Sequence, residues 1–165
     1  MKGKADWGYN AISNGGGQTG NWRTLKIEEW DYLLNQRNTP STIRYVKAQV
    51  NEINGIILLP DNWNQNCYPL VFANTSSISF NENIISLTDW INTFETNGAV
   101  FLVAAGSRNG TTLFMLNSWG NYSTSSSSNW QSEESVVFND SNVCTYSSSL
   151  KCNGLSVRLV QDYKP

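Results

Sequence analysis

Asn51-Glu52-Ile53-Asn54-Gly55-Ile56-Ile57-Leu58-Leu59-Pro60, residues 51–60, decides how the rest of the chain is read. Asn51 to Asn54 carries turn chemistry, and the apolar run after Gly55 is short, rich in β-branched residues and stopped by Pro60-Asp61. It therefore reads as a buried strand. Just upstream, residues 42–50 alternate, with Ile43, Tyr45 and Lys47 facing one way and Arg44, Val46, Ala48 and Val50 the other. The two segments make a hairpin.

Outward from this hairpin the period changes. Ile27, Trp30, Leu33 and Leu34 recur at three and four residues, which predicts a helix from Leu25 to about Gln36, with Glu28, Glu29 and Asp31 near its positive N-terminal end. Ahead of it, residues 6–23 read as an aromatic-pinned loop with a turn at Gly15-Gly16-Gly17. A polar loop follows Pro60 to about Asn83. Ser86-Leu87-Thr88-Asp89 then has the form of a capping box and opens a second helix carrying Trp90, Ile91 and Phe94, closed at Gly98. Residues 99–103 are a core strand, and Thr111 to Leu116 and Leu155 to Val160 are strand-like. Between these last two, residues 117–153 are mostly Ser, Asn, Tyr and Trp. Their bracketing by strands, and the Val136-Val137-Phe138 run inside them, argue for an ordered surface rather than a disordered tract. The fold class is α+β.

Composition narrows the function. With 165 residues, 39% hydrophobic and 15% charged, the chain fits one globular domain. It contains no histidine, which removes Ser-His-Asp and Cys-His nucleophilic machinery and most transition-metal sites. Cys67, Cys144 and Cys152 are odd in number and lack metal-ligand spacing, and a Cys144–Cys152 bridge is left open. The acidic neighbours Glu28/Glu29 and Glu133/Glu134 read as solvated or capping groups, because adjacent helical residues point about 100° apart. Residues 15–20 lack the strand before and the Gly-Lys-Ser/Thr after that a phosphate loop requires, and glycosylation-like triplets at Asn74, Asn109 and Asn121 are discounted as chance matches. Net charge is −2 with scattered Lys and Arg, so nucleic acid is not an expected partner. No apolar run is long enough for a membrane helix, and the first six residues lack the apolar stretch of a secretory signal.

What remains is a binding surface. Tyr and Trp supply rigid contact area while Ser, Asn and Gly supply adaptable hydrogen bonds, which is the composition of residues 117–153. Trp7, Trp22, Trp30 and Trp90 are expected in the core, and Trp119 and Trp130 on the surface.

A family comes into view over nearly the whole chain. Asp6-Trp7-Gly8, Gly20-Asn21-Trp22-Arg23-Thr24-Leu25, Glu29-Trp30, Asn54 to Pro60, Gly98 to Leu102, Ala104-Ala105-Gly106, Arg108 to Thr111 and Gly154 to Val160 resemble bacterial and phage proteins with a C-type-lectin-like fold of the formylglycine-generating-enzyme type. Within that family, a Ser-Val-Arg-Leu-Val ending after an Asn/Ser/Tyr-rich stretch resembles the variable proteins of diversity-generating retroelements. The resemblance implies two helices packed on mixed and antiparallel sheets with long loops, in one domain over residues 1–165. It implies a region of about 113–155 rewritten by adenine-directed mutagenesis. Trp119 and Trp130 depart from that pattern, because neither arises from an Asn codon.

The residues expected to contact ligand are Phe114, Trp119, Asn121, Ser123, Ser125, Trp130, Ser132, Ser135, Cys144, Tyr146, Ser147, Ser148, Ser149, Leu150, Cys152 and Leu155. The expected activity is non-enzymatic binding, as an adhesin or receptor-binding domain, of a protein or glycan on a cell or virus surface, with no cofactor and no metal. The expected location is the cell surface, the extracellular space or a virion. The alternatives are an oxidoreductase like the formylglycine-generating enzymes, using Cys144 and Cys152, or a structural surface or tail module. Other departures from the family are Val103 where proline is usual and Lys26 where a capping Thr is usual, so the first helix is expected to start at Thr24 or to lean on another cap. The family also has a segment ahead of Asp6 whose strand pairs with the terminal one. This chain is expected either to be a fragment or to complete its sheet differently.

Overall fold

The computed structural model describes residues 21–162, and the expectations for the Asp6-Trp7-Gly8 motif and the Gly15–Gly17 turn lie outside them. The hairpin forms where it was read: β2 (Tyr45–Val50) pairs antiparallel with β3 (Ile53–Leu58), Val50 opposite Ile53 across the Asn51-Glu52 turn. Two more strands complete a four-stranded sheet in the order β4-β2-β3-β5: β4 (Ile84–Ile85), parallel to β2, and β5 (Val100–Val103), antiparallel to β3. Gly55 is needed at the β3–β5 contact, because a Cβ there would meet the Leu102 carbonyl and the Phe101 ring.

This sheet is buried on both faces. On one side Tyr45, Ile56, Leu102 and Ala104 pack with Ile27, Trp30 and Leu34 of the first helix and with Tyr122, Val136 and Phe138 of a second sheet. On the other, Val46, Ala48, Val50 and Ile57 pack with Trp63, Phe94 and Ala99. Ile43 departs from the expected alternation and joins this second side, because the strand starts only at Tyr45. The second sheet, β10-β9-β8, is wholly antiparallel: β8 (Gly120–Ser127), β9 (Ser132–Asn139) and β10 (Asn142–Leu150). The Ser/Asn-rich tract is thus ordered as strands.

Helix α1 (Ile27–Asp31) widens to a π-helical turn over Tyr32–Gln36, where the Arg37 N–H donates to the Tyr32 carbonyl at 2.7 Å. Its start leans on another cap. Lys26 stands at the N-cap, Glu29 accepts the Lys26 N–H at 2.8 Å, and Ser126 of β8 accepts the Ile27 N–H at 3.0 Å. Helix α2 (Leu87–Asp89) also widens, over Trp90–Glu95, and the Ser86 hydroxyl accepts the Asp89 N–H at 3.0 Å as the capping box requires. Trp30 is buried as expected, whereas Trp22 and Trp90 are only partly buried.

The terminal strand β11 (Leu159–Val160) is completed from within the described residues, pairing antiparallel with β1 (Arg23–Thr24). Arg23 braces this junction with ion pairs to Glu29 at 2.7 Å and Asp162 at 2.9 Å.

Lys47 is the unexpected core residue. It is completely buried between the two sheets, its Nζ donating to the carbonyls of Ser76, Ile78 and Asn139 and lying 5.8 Å from the Phe80 ring centre. Burial pushes its pKa down to about 8, partly countered by Asp140. Replacing it with Met relieves that desolvation but orphans three carbonyls at about 1–3 kcal/mol each, so the orphaned carbonyls dominate. Lys47→Met is expected to destabilise the chain by about 3 kcal/mol in urea denaturation. Between pH 8 and the ordinary lysine value of 10.5 the unfolded chain holds a proton that the folded one has released, so the wild type should gain stability across that window and Lys47→Met should lack the gain.

Candidate ligand-binding surface

Beyond β5 the backbone builds a short hairpin, β6 (Ser107–Asn109) with β7 (Thr112–Phe114), and a tight turn before β8. The turn is fixed by Asn117. Its Oδ1 accepts from the Asn54 N–H at 2.7 Å, its Nδ2 donates to the Glu52 carbonyl at 3.2 Å, and its own N–H donates to the Ala104 carbonyl at 2.8 Å. Met115 and Asn117 both have positive φ, 55° and 56°, a conformation that costs a side-chain-bearing residue about 1–2 kcal/mol. At the same corner Gly106 is left-handed, and a Cβ there would strike the Phe114 carbonyl. The outcome is a held ridge on which Leu113, Phe114, Met115, Leu116 and Trp119 are all exposed. The strand expected over residues 111–116 forms only as β7, and Leu113, Met115 and Leu116 stand on the surface although an apolar run resembles a core strand.

At the far end of β8, roughly 17 Å away at the usual strand rise over the paired β9 residues Glu133 to Phe138, the β8–β9 turn presents Trp130. This is the most exposed of the large hydrophobic residues described, at 83%. Its turn is internally satisfied. Asn129 Oδ1 accepts the N–H groups of Gln131 and Ser132, both at 2.8 Å, and Lys151 Nζ donates to Ser127 Oγ at 2.8 Å and to the Asn129 carbonyl at 2.9 Å. Ser148, Leu150 and Cys152 are exposed near this end, and Ser148 Oγ lies 3.5 Å from Ser128 Oγ. Half-buried Ser132 pairs with Leu150 across the sheet.

The remaining candidates do not join either group. From the end of β10 the chain doubles back: the Lys151 N–H donates to the Gln131 carbonyl, Gly154 and Arg108 exchange both backbone hydrogen bonds, and Ser156 bonds Asn121 and Ser123 beside β8. Ser135, on β9, is fully buried, and its hydroxyl lies 3.1 Å from that of half-buried Ser149, so Ser135 drops out of the contact surface. Ser147 stands opposite Ser135 and is also half-buried, as are Leu155 and Cys144, the latter facing Val137. Ser123 spends its hydroxyl on Glu133 at 2.8 Å; burial pushes that carboxyl's pKa up, and the Ser123 bond and Lys151 oppose the shift. The Asn121 side-chain oxygen is buried without a partner, and Ser125, though exposed, donates to the Thr24 carbonyl at 3.3 Å.

Tyr146 belongs to a β-bulge between Cys144 and Ser147 and is 58% exposed. The bulge is tied to α1 by buried Asp31, which accepts from Asn35 at 2.7 Å, from Thr145 at 3.0 Å and from Gln36. Those bonds, led by Asn35, hold the Asp31 carboxyl below its ordinary pKa against the opposing effect of burial. Cys67, Cys144 and Cys152 form no disulfide. Among the described residues no cluster of three His, Cys, Asp or Glu side chains could hold a metal ion, and no helix is long and apolar enough to cross a membrane.

Compared with known protein families, curated proteins and solved structures, the chain matches none.

Asn117→Ala removes two side-chain hydrogen bonds and leaves a Cβ in the left-handed region without the local bonding that Asn provides. It is expected to lower stability by about 2 kcal/mol, with Asn117→Gly recovering roughly half, as read from paired denaturation curves.

Proposed function

We propose that this chain is a non-enzymatic binding domain of the C-type-lectin-like type whose contact surface is the β8–β9 turn end, with Trp130 as anchor and Leu150, Ser148, Ser132 and Cys152 around it. The observation that carries the reading is an almost fully exposed tryptophan on a turn whose polar groups are already paired with one another. An exposed indole gains nothing for the fold, and a turn that is already ordered loses little entropy on contact. The partner is a protein or glycan at a cell or virus surface, and the domain acts there, displayed on a cell or a virion. The β1–β11 pairing, which joins the first and last described strands, supports the C-type-lectin-like assignment.

The retroelement reading rests on the residue types crowding β8 to β10 and on where they sit. Ser148 and Leu150 are exposed, while Tyr122, Val136 and Phe138 lie in the core. Substitution at exposed positions leaves the core contacts intact.

Two measurements test the proposal. Trp130→Ala should leave stability within about 0.5 kcal/mol of wild type in urea denaturation, and a larger loss would make Trp130 a structural residue. DNA flanking the gene should contain a reverse transcriptase and a near-copy of codons 113–155 that differs mainly at adenines, with the differences on exposed codons such as 148 and 150 and none at 122, 136 or 138. A complete locus without that repeat overturns diversification, and differences concentrated at the core codons overturn the surface assignment.

A further inference from the structure

The ridge at 113–119 is set apart from the Trp130 end by the length of β8, and a second apolar patch lies elsewhere on the chain. There Val71, Phe72, Ile84, Leu87 and Ile91 are each between 45% and 66% exposed. Part of it is tied together: the Val71 N–H donates to Asn83 Oδ1 at 2.9 Å, the Asn83 amide returns a bond to the Val71 carbonyl at 3.0 Å, Ile84 follows directly, and the Tyr68 hydroxyl reaches the Ile84 carbonyl at 3.5 Å.

The two patches carry opposite charge. No Lys or Arg occurs between Lys47 and Arg108, whereas Glu82, Asp89 and Glu95 border the patch around Ile84 and Ile91. Conversely, no carboxylate occurs between Glu95 and Glu133 or between Asp140 and Asp162. Arg108 stands directly across the β6–β7 hairpin from Leu113, and both Arg108 and Arg158 are exposed. Acids therefore lie beside the Ile84 patch and Arg108 lies beside the ridge, while exposed Glu52 stands in the turn between the two.

Both patches also flank the same turn. β4 pairs with Gln49 and Val50, and the Asn51 N–H donates to the Ile85 carbonyl at 2.9 Å, which puts the acidic patch on one side of Asn51-Glu52. Asn117 bonds Glu52 and Asn54, which puts the ridge on the other. We infer that the occupant of these surfaces is a second copy of this chain, related by a two-fold axis near the Asn51-Glu52 turn, with the basic ridge of each copy on the acidic patch of the other. A two-fold contact is made twice and closes on itself. The ten apolar side chains, about half exposed, offer on the order of 1,000 Å² per copy, against roughly 800 Å² per partner in a standard stable interface. Like charges at a contact are disfavoured and opposite charges set its register, so the rims select this pairing over ridge on ridge.

The test is the mass of the full chain by sedimentation velocity and light scattering. The wild type should be a concentration-dependent dimer. Arg108→Glu with Arg158→Glu reverses one rim, and Glu82→Lys with Glu95→Lys reverses the other. Each double variant should dissociate at least tenfold more readily, and an equimolar mixture of the two should regain the dimer, which also shows that both are folded. Leu116→Ser should weaken the dimer with charges unchanged, and Trp130→Ala should leave it intact. A monomer at millimolar concentration, open-ended chains, or a dimer indifferent to either charge reversal would overturn the inference without touching the assignment of Trp130.

Discussion

The seating of the two sheets depends on one buried ammonium group. Lys47 leaves the central strand β2 on the face that meets the second sheet, and its three partners are all backbone carbonyls, two from the Ser76–Ile78 loop and one from Asn139 at the end of β9. Apolar contacts among Tyr45, Ile56, Phe80 and Phe138 supply most of the cohesion there, but they are non-directional and tolerate sliding. A desolvated cation does not, because every carbonyl lost leaves an uncompensated charge. Asp140 reinforces the same spot by accepting from the Phe80 N–H at 3.0 Å and the Ser79 hydroxyl at 3.1 Å. The height of β8 to β10 on the central sheet is thereby fixed, and with it the position of everything those strands display.

The molecule divides by how its polar groups are used. In the interior, Asp31, Lys47 and Asn83 each bond several partners and tie distant segments together. Along β8 to β10, by contrast, the serines differ from neighbour to neighbour: Ser135 is closed off, Ser123 is engaged with Glu133, and Ser148 is open to solvent. A stretch that looks uniform in composition is therefore heterogeneous in what it can offer a ligand. The strand alternation and the returning chain between Leu150 and Ser156 decide which serine does what.

Much of the scaffold was legible because it obeys simple periods. Ile27, Trp30 and Leu34 mark the buried side of α1, Ser86 caps α2, and the run after Gly55 is the central strand. Alternation gives Lys47 its face, yet its burial is not legible in the sequence, since its partners come from residues 29 to 92 positions away. The closure of Ser135 is equally hidden, because it follows from its place on the central strand between β8 and β10, which has no local signature. The separation of Trp119 from Trp130 is a matter of strand length: β8, bulged between Ser123 and Ser127, lies between them and makes two tryptophans of one polar tract residents of opposite ends. The splitting of both helices into α and π turns has no sequence signal that we can identify.

The β1–β11 pair has a mechanical consequence. Antiparallel strands carrying Arg23 opposite Val160 bring the first and last described strands to within about 5 Å of each other. Tension pulling those two strands apart would load the pair one hydrogen bond at a time, as in opening a zipper, rather than shearing all of it at once. The Arg23 guanidinium, bonded to both Glu29 and Asp162, sits at the mouth of that zipper, so the first resistance to opening the pair would be ionic and sensitive to salt.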